Sequence, residues 1–79
     1  MKNYTILARR WFDKINGNTY HSVKVYVNNK FVDEEKYSYG YGKQYLQTAH
    51  ELLMKNGFLK KTRDNFIIDC VDVQRKKDL

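Results

Sequence analysis

The sequence predicts an α+β domain of order βββαβ: an antiparallel β-meander of three strands, followed by one helix packed on one sheet face and a fourth strand. Three observations carry this. Alternating apolar and polar residues run through positions 4–12 and 19–27 on either side of Asn16-Gly17, the short-range signature of a hairpin. Between Lys43 and Asn56, Tyr45, Leu46, Ala49, Leu52 and Leu53 recur at three- and four-residue spacing, as one face of a helix requires. Residues 66–73 are then rich in β-branched side chains.

If Asn16-Gly17 closes a two-residue turn, Ile6 lies opposite Val27, Ala8 opposite Val25, Arg10 opposite Val23 and Phe12 opposite His21. Asn28-Asn29 repeats the logic, because asparagine tolerates positive φ and fits a two-residue primed turn. Phe31 and Val32 begin the third strand, with Tyr26 opposite Phe31 and Val25 opposite Val32. Continuing that register would drive Glu34 onto the core face, so a bulge or the end of regular pairing is expected near Asp33. Gly57, directly after Lys55-Asn56, suits a left-handed helix cap from which Phe58 folds back on the last turn. Lys60, Lys61, Arg63 and Asp64 read as a polar link, and residues 74–79, without periodicity, as a frayed basic tail.

Seventy-nine residues with no linker and no shift in composition make one compact domain over 1–79. Such a short chain buries only about 60% of its unfolded surface, which leaves a homodimer open. A single cysteine excludes an internal disulfide and, with two histidines, argues against a Cys/His zinc site. A reducing, cytoplasmic setting fits. The N-terminal stretch, broken by Arg9 and Arg10, reads as neither a secretory signal nor a membrane span, so no membrane partner is expected. Fifteen Lys and Arg against nine Asp and Glu give a net charge of +6, which suits a polyanionic partner.

One helix can cover only one side of the meander. The other side carries Thr5, Leu7, Arg9 and Trp11 from the first strand and Tyr20, Ser22, Lys24 and Tyr26 from the second, and gains Phe31 from the third. Tyr37, Tyr39 and Tyr41 alternate beyond it and can line one edge. Aromatic rings that stack on bases, interleaved with cations that neutralise phosphates, are what single-stranded nucleic acid requires. The candidate contact residues are therefore Arg9, Trp11, Tyr20, Lys24, Tyr26, Phe31, Tyr39, Tyr41 and Lys43. The same residue types are enriched at protein interfaces, so a protein partner is the alternative, and Asp33, Glu34 and Glu35 beside the patch weigh against a purely anionic ligand.

Gly40-Tyr41-Gly42-Lys43 before the helix lacks the spacer and the Lys-Ser/Thr pair of a P-loop and the third glycine of a dinucleotide fingerprint. It reads instead as a tight turn. His21 projects to the core side as a hydrogen-bonded structural histidine, and Cys70, on a strand expected to be buried, as an inert thiol. Asp69 and Asp72 point to opposite faces of a strand and make a poor carboxylate pair. The reading is accordingly a binding module without a cofactor, a metal or catalytic residues.

The segments "ARRWF", "GNTYHSVKVYV" and "YGYGKQYLQTA" resemble small proteins encoded by bacteriophages and other mobile elements, with the likeness running from Arg9 to Leu53. No established activity comes with that resemblance. What it implies is context: small proteins of that origin bind either nucleic acid or a host protein, such as a nuclease or defence complex that they inhibit in the manner of anti-CRISPR or anti-restriction proteins.

Overall fold

The computed structural model describes residues 3–58 and 65–79; the expected polar link at Lys60, Lys61, Arg63 and Asp64 lies outside the described residues. Strands β1 (Asn3–Asp13), β2 (Asn18–Val27) and β3 (Lys30–Tyr39) form an antiparallel meander, helix α1 (Gln44–Lys55) follows, and β4 (Asn65–Val73) joins the sheet beside β1. The strand order is β3-β2-β1-β4, with β4 parallel to β1. The expected βββαβ fold is the observed one.

The first hairpin differs from expectation in register but not in face. Ile6 pairs with Val25, Ala8 with Val23, Arg10 with His21 and Phe12 with Thr19, a shift of two residues that keeps every side chain on its predicted side. The cause is the Asp13 carboxylate. Its Oδ1 accepts hydrogen bonds from the backbone N–H groups of Ile15 and Asn16 at 3.0 and 3.3 Å, its Oδ2 accepts one from Asn16 Nδ2 at 2.8 Å, and Gly17 N–H reaches the Asp13 carbonyl at 2.8 Å. These bonds close a longer loop, with Asp13 paired to Asn18, in which Asn16-Gly17 is only the second half.

The second hairpin turns through Asn28 and Asn29, at φ 51° and 67°, as a two-residue primed turn demands. Val27 pairs with Lys30 and Tyr26 with Phe31, as expected. The first irregularity then comes between Tyr26 and Val25, which faces Asp33 rather than Val32, and a second separates Val23 from His21. The first bulge keeps Glu34 out of the core: it lies opposite Lys24 instead of Val23.

The core lies between the sheet and α1. Tyr4, Ile6 and Ala8 of β1 and Val23, Val25 and Val27 of β2 meet Tyr45, Ala49, Leu52 and Leu53 of the helix. The helix axis runs over β2 and β3 rather than over β4. Its C-terminus closes as the sequence predicts: Phe58 N–H bonds the Leu53 carbonyl at 2.9 Å, Gly57 N–H bonds that of Met54 at 3.0 Å, and Gly57 takes φ 87°, the two-bond pattern that a left-handed glycine makes available. Phe58 packs against the core, edge-on to Tyr4 with centroids 6.3 Å apart.

His21 is the one buried polar side chain among the described residues, fully enclosed, and it joins sheet to helix. Its Nε2 lies 2.8 Å from Thr48 Oγ1 and its Nδ1 3.3 Å from the Gly40 carbonyl, so both ring nitrogens are satisfied. Arg10 performs the same task at the rim. Its Nε and Nη2 donate to the Asp72 carboxylate at 2.8 and 3.4 Å, its Nη1 donates to the Gly42 carbonyl at 2.7 Å, and its guanidinium sits 5.8 Å from the centre of the Tyr45 ring. One side chain thereby links β1, β4 and the entry to α1.

Candidate binding face

The side of the sheet away from α1 is built by strand alternation. Thr5, Leu7, Arg9 and Trp11 of β1 stand beside Tyr26, Lys24, Ser22 and Tyr20 of β2 respectively, and Tyr20 stands beside Tyr39 of β3. Three rings stack in series across it. Trp11 lies 5.8 Å from Tyr20 at 23°, and Tyr20 lies 4.8 Å from Tyr37 at 16°, with Tyr39 edge-on to Tyr20 at 5.7 Å. A second pair, Tyr26 and Phe31, meets edge-on at 5.7 Å toward the other end of the face. Crowding by neighbours, above all partial burial and then the adjacent Tyr20, pushes the Tyr37 hydroxyl above its ordinary pKa.

Between these aromatic groups lies an open depression of about 410 Å³ whose lining includes Leu7, Arg9, Lys24, Tyr26, Val71 and Leu79. Apolar and charged side chains line it together, and Glu34 and Asp69 set negative charge beside the cations. The tail at 74–79 contributes directly. Lys76–Asp78 forms a short 3-10 turn, η1, closed by an Arg75 to Asp78 ion pair at 3.3 Å. Arg9 Nη1 donates to the Asp78 carbonyl at 2.9 Å, and Lys76 Nζ sits 4.7 Å above the Tyr37 ring.

Of the residues singled out from the sequence, Arg9, Trp11, Tyr20, Lys24, Tyr26, Phe31 and Tyr39 come together on this face, with Trp11, Tyr20 and Tyr26 half-buried by their neighbours and the others exposed. Tyr41 and Lys43 lie apart from it. Both follow the end of β3 and are exposed in the turn into α1, where the neighbouring Gly42 carbonyl is bound by Arg10, a residue of the helix-side row. That turn holds Gly40 for a steric reason. A Cβ on Gly40 would lie 2.3 and 2.7 Å from Gln44 Cγ and Cβ and 3.1 Å from His21 Cε1, closer than real side chains come.

Tyr37, expected to line one edge, and Lys76 and Leu79, which the sequence reading did not single out, complete the face. Tyr37 was readable from its alternation with Tyr39; the tail residues carry no local signal, because what holds them is contact with strands far away in the chain. Cys70 is partly buried against the core, and burial, the largest influence, raises its thiol pKa above the ordinary value while Arg10 and the Tyr45 hydroxyl oppose the rise. Among the described residues no group of three or more His, Cys, Asp or Glu side chains is placed to hold a metal ion, and no helix is long and apolar enough to cross a membrane. No protein-family model, curated protein or solved structure matches the chain.

Proposed function

We propose that the open sheet face binds single-stranded nucleic acid, and that the protein is a non-enzymatic binding module of a bacteriophage or mobile element acting in the cytoplasm of its host. The observation that carries this reading is the stacked series Trp11, Tyr20, Tyr37 on a solvent-facing sheet, flanked by Arg9, Lys24 and Lys76. Bases extend the stack at its exposed rings, Tyr39 and Phe31 add further ring faces, and the cations neutralise phosphates. Because the rings are already stacked on one another, they hold their geometry before a ligand arrives, which lowers the entropy lost on binding. Lys43 and Tyr41, displaced from the face, serve at most a longer strand running past the sheet edge.

The test is a titration of labelled single-stranded DNA and RNA at two salt concentrations. Removing one exposed ring, as in Tyr39→Ala, is expected to weaken binding by about 1–3 kcal/mol, roughly 5- to 150-fold. Arg9→Ala is expected to lower the salt dependence by about 0.7 in the log-log slope if it neutralises one phosphate of a single strand. Absence of binding at low salt rejects the reading.

A second reading uses the same face for a host or defence protein. What favours it is the mixed lining of the depression, Leu7, Tyr26, Val71 and Leu79 together with both signs of charge, the composition of a protein interface rather than of a phosphate groove. Capture of one defined protein from nuclease-treated host lysate, lost in Leu7→Lys, would support it. Capture that vanishes altogether with the nuclease treatment returns the argument to nucleic acid.

A further inference from the structure

Residues 74–79 turn back from the end of β4 and cross the open face. Val73 stands beside Trp11 of β1, yet the Asp78 carbonyl meets Arg9, and Leu79 lines the depression together with Leu7 and Val71, so the chain has reversed over its own strand. Lys76 reaches further, to Tyr37 of β3, the strand at the far edge of the sheet. The turn itself is closed by the Asp78 and Leu79 N–H groups, which donate to the carbonyls of Arg75 and Lys76 at 3.0 and 3.1 Å. Exposure falls along the segment: residues 74–77 are exposed, whereas Asp78 and Leu79 are half-buried. A frayed segment shows the opposite trend.

What the segment touches is what a nucleic acid would use. Lys76 Nζ lies 4.7 Å above the Tyr37 ring, where a base would continue the series Trp11, Tyr20, Tyr37. The Asp78 carbonyl accepts a hydrogen bond from Arg9 Nη1 at 2.9 Å, as a phosphate oxygen would. Resting on the nucleic-acid reading of this face, we infer that residues 75–79 are an internal stand-in for the ligand, closing the face in the free protein and displaced from it when a single strand binds. Each contact is weak. A cation over an exposed ring and a net hydrogen bond each favour closure by a factor of about 2–10, and the entropy lost in ordering the segment offsets part of that. A closed state favoured about tenfold raises the apparent Kd about tenfold, because the ligand binds only the open fraction. The segment carries Arg75, Lys76 and Lys77 against Asp78, so once displaced it offers cations to the phosphates instead of repelling them.

The test loosens the segment and leaves its cations in place. Leu79→Ser keeps the net charge of +6. Asp78→Ala breaks the Arg75 ion pair that closes the turn, and Asp69→Asn, which removes a carboxylate of β4 from the same depression, is its electrostatic match. Folding of each variant is checked by circular dichroism, and labelled single-stranded DNA and RNA of about ten nucleotides, within the site size of such sheets, are titrated at low salt. Expected are a Kd about 3- to 10-fold tighter in Leu79→Ser and a larger gain in Asp78→Ala than in Asp69→Asn. In proton NMR spectra of the wild-type chain, the Lys76 methylenes should be shielded by the Tyr37 ring and lose that shielding at saturation with the oligonucleotide. A segment with only a structural role would not tighten binding when loosened. Unchanged or weaker binding in Leu79→Ser, or Lys76 signals unmoved at saturation, overturns the inference and leaves the nucleic-acid reading standing. No binding by the wild-type chain or by either loosened variant rejects that reading and the stand-in with it.

Discussion

Substituting Gly40 by alanine tests the account of how the sheet hands over to the helix. The added Cβ would stand 2.7 Å from Gln44 Cβ and 3.1 Å from His21 Cε1. The Gln44 side chain can swing away beyond its Cβ, but that Cβ is fixed to the first residue of α1, and the imidazole is held through both nitrogens by Thr48 and Gly40. The start of the helix must therefore lift, loosening His21 from Thr48. Overpacking of this kind costs about 1–3 kcal/mol, and the positive φ of 158° at Gly40 adds about 1 kcal/mol of backbone strain. A total of about 2–4 kcal/mol is a large part of the roughly 4–12 kcal/mol available to a domain of this size. At ~4–8 °C per kcal/mol, the melting temperature falls by about 8–32 °C. Gly42→Ala is the matched comparison, since its Cβ would meet nothing within 4 Å at φ 63°; it incurs the backbone strain alone. Thermal and urea unfolding followed by circular dichroism measure both. Equal losses in the two variants, or a Gly40→Ala loss below about 0.5 kcal/mol, a typical effect of a neutral surface change, would refute the packing argument.

Two further outcomes follow from the charges and the thiol. Asp33 accepts from Asn56 Nδ2 at 2.9 Å and from the Glu34 N–H at 2.8 Å, and these bonds, the Asn56 one foremost, lower its pKa. A folded pKa below the unfolded value of about 3.9 contributes stability above that pH and loses it as the pH falls through the folded value; urea midpoints measured from neutral pH to below 3 should drop less steeply in Asp33→Asn, and parallel curves would contradict this. Cys70, its pKa raised by burial, should react with Ellman's reagent at pH 8 more slowly than an unstructured cysteine peptide and regain the peptide rate in denaturant; an equal rate in the native chain would show the thiol to be unshielded.

What the sequence made legible was whatever local chemistry decides. Asn28-Asn29 fixed a primed turn, Gly57-Phe58 fixed the end of the helix, and the spacing from Tyr45 to Leu53 fixed its buried face. The first hairpin slipped by two residues because Asp13, outside the Asn16-Gly17 pair, organises the loop through three side-chain hydrogen bonds. Placement of β4 was a different matter. Its β-branched run shows that a strand exists, but whether it enters the sheet at the centre or the edge is decided by pairing with β1, some sixty residues away, and alternation cannot report that. The open face was visible as a period-two pattern; the return of Lys76 and Leu79 across it was not, being a tertiary contact without periodicity.

Parallel pairing between β1 and β4 also sets a schedule. Of the four strands, β1 is synthesised before the others yet lies inside the finished sheet, and residues 65–73, which cover its second side, follow the other three. Until they emerge, Ile6 and its neighbours have a bare hydrogen-bonding border beside them even though the hairpin and its helix are already available to assemble. This sheet is thus open to wrong strand partners until β4 has been made, and a pause placed just before the codons of β4 prolongs that exposure.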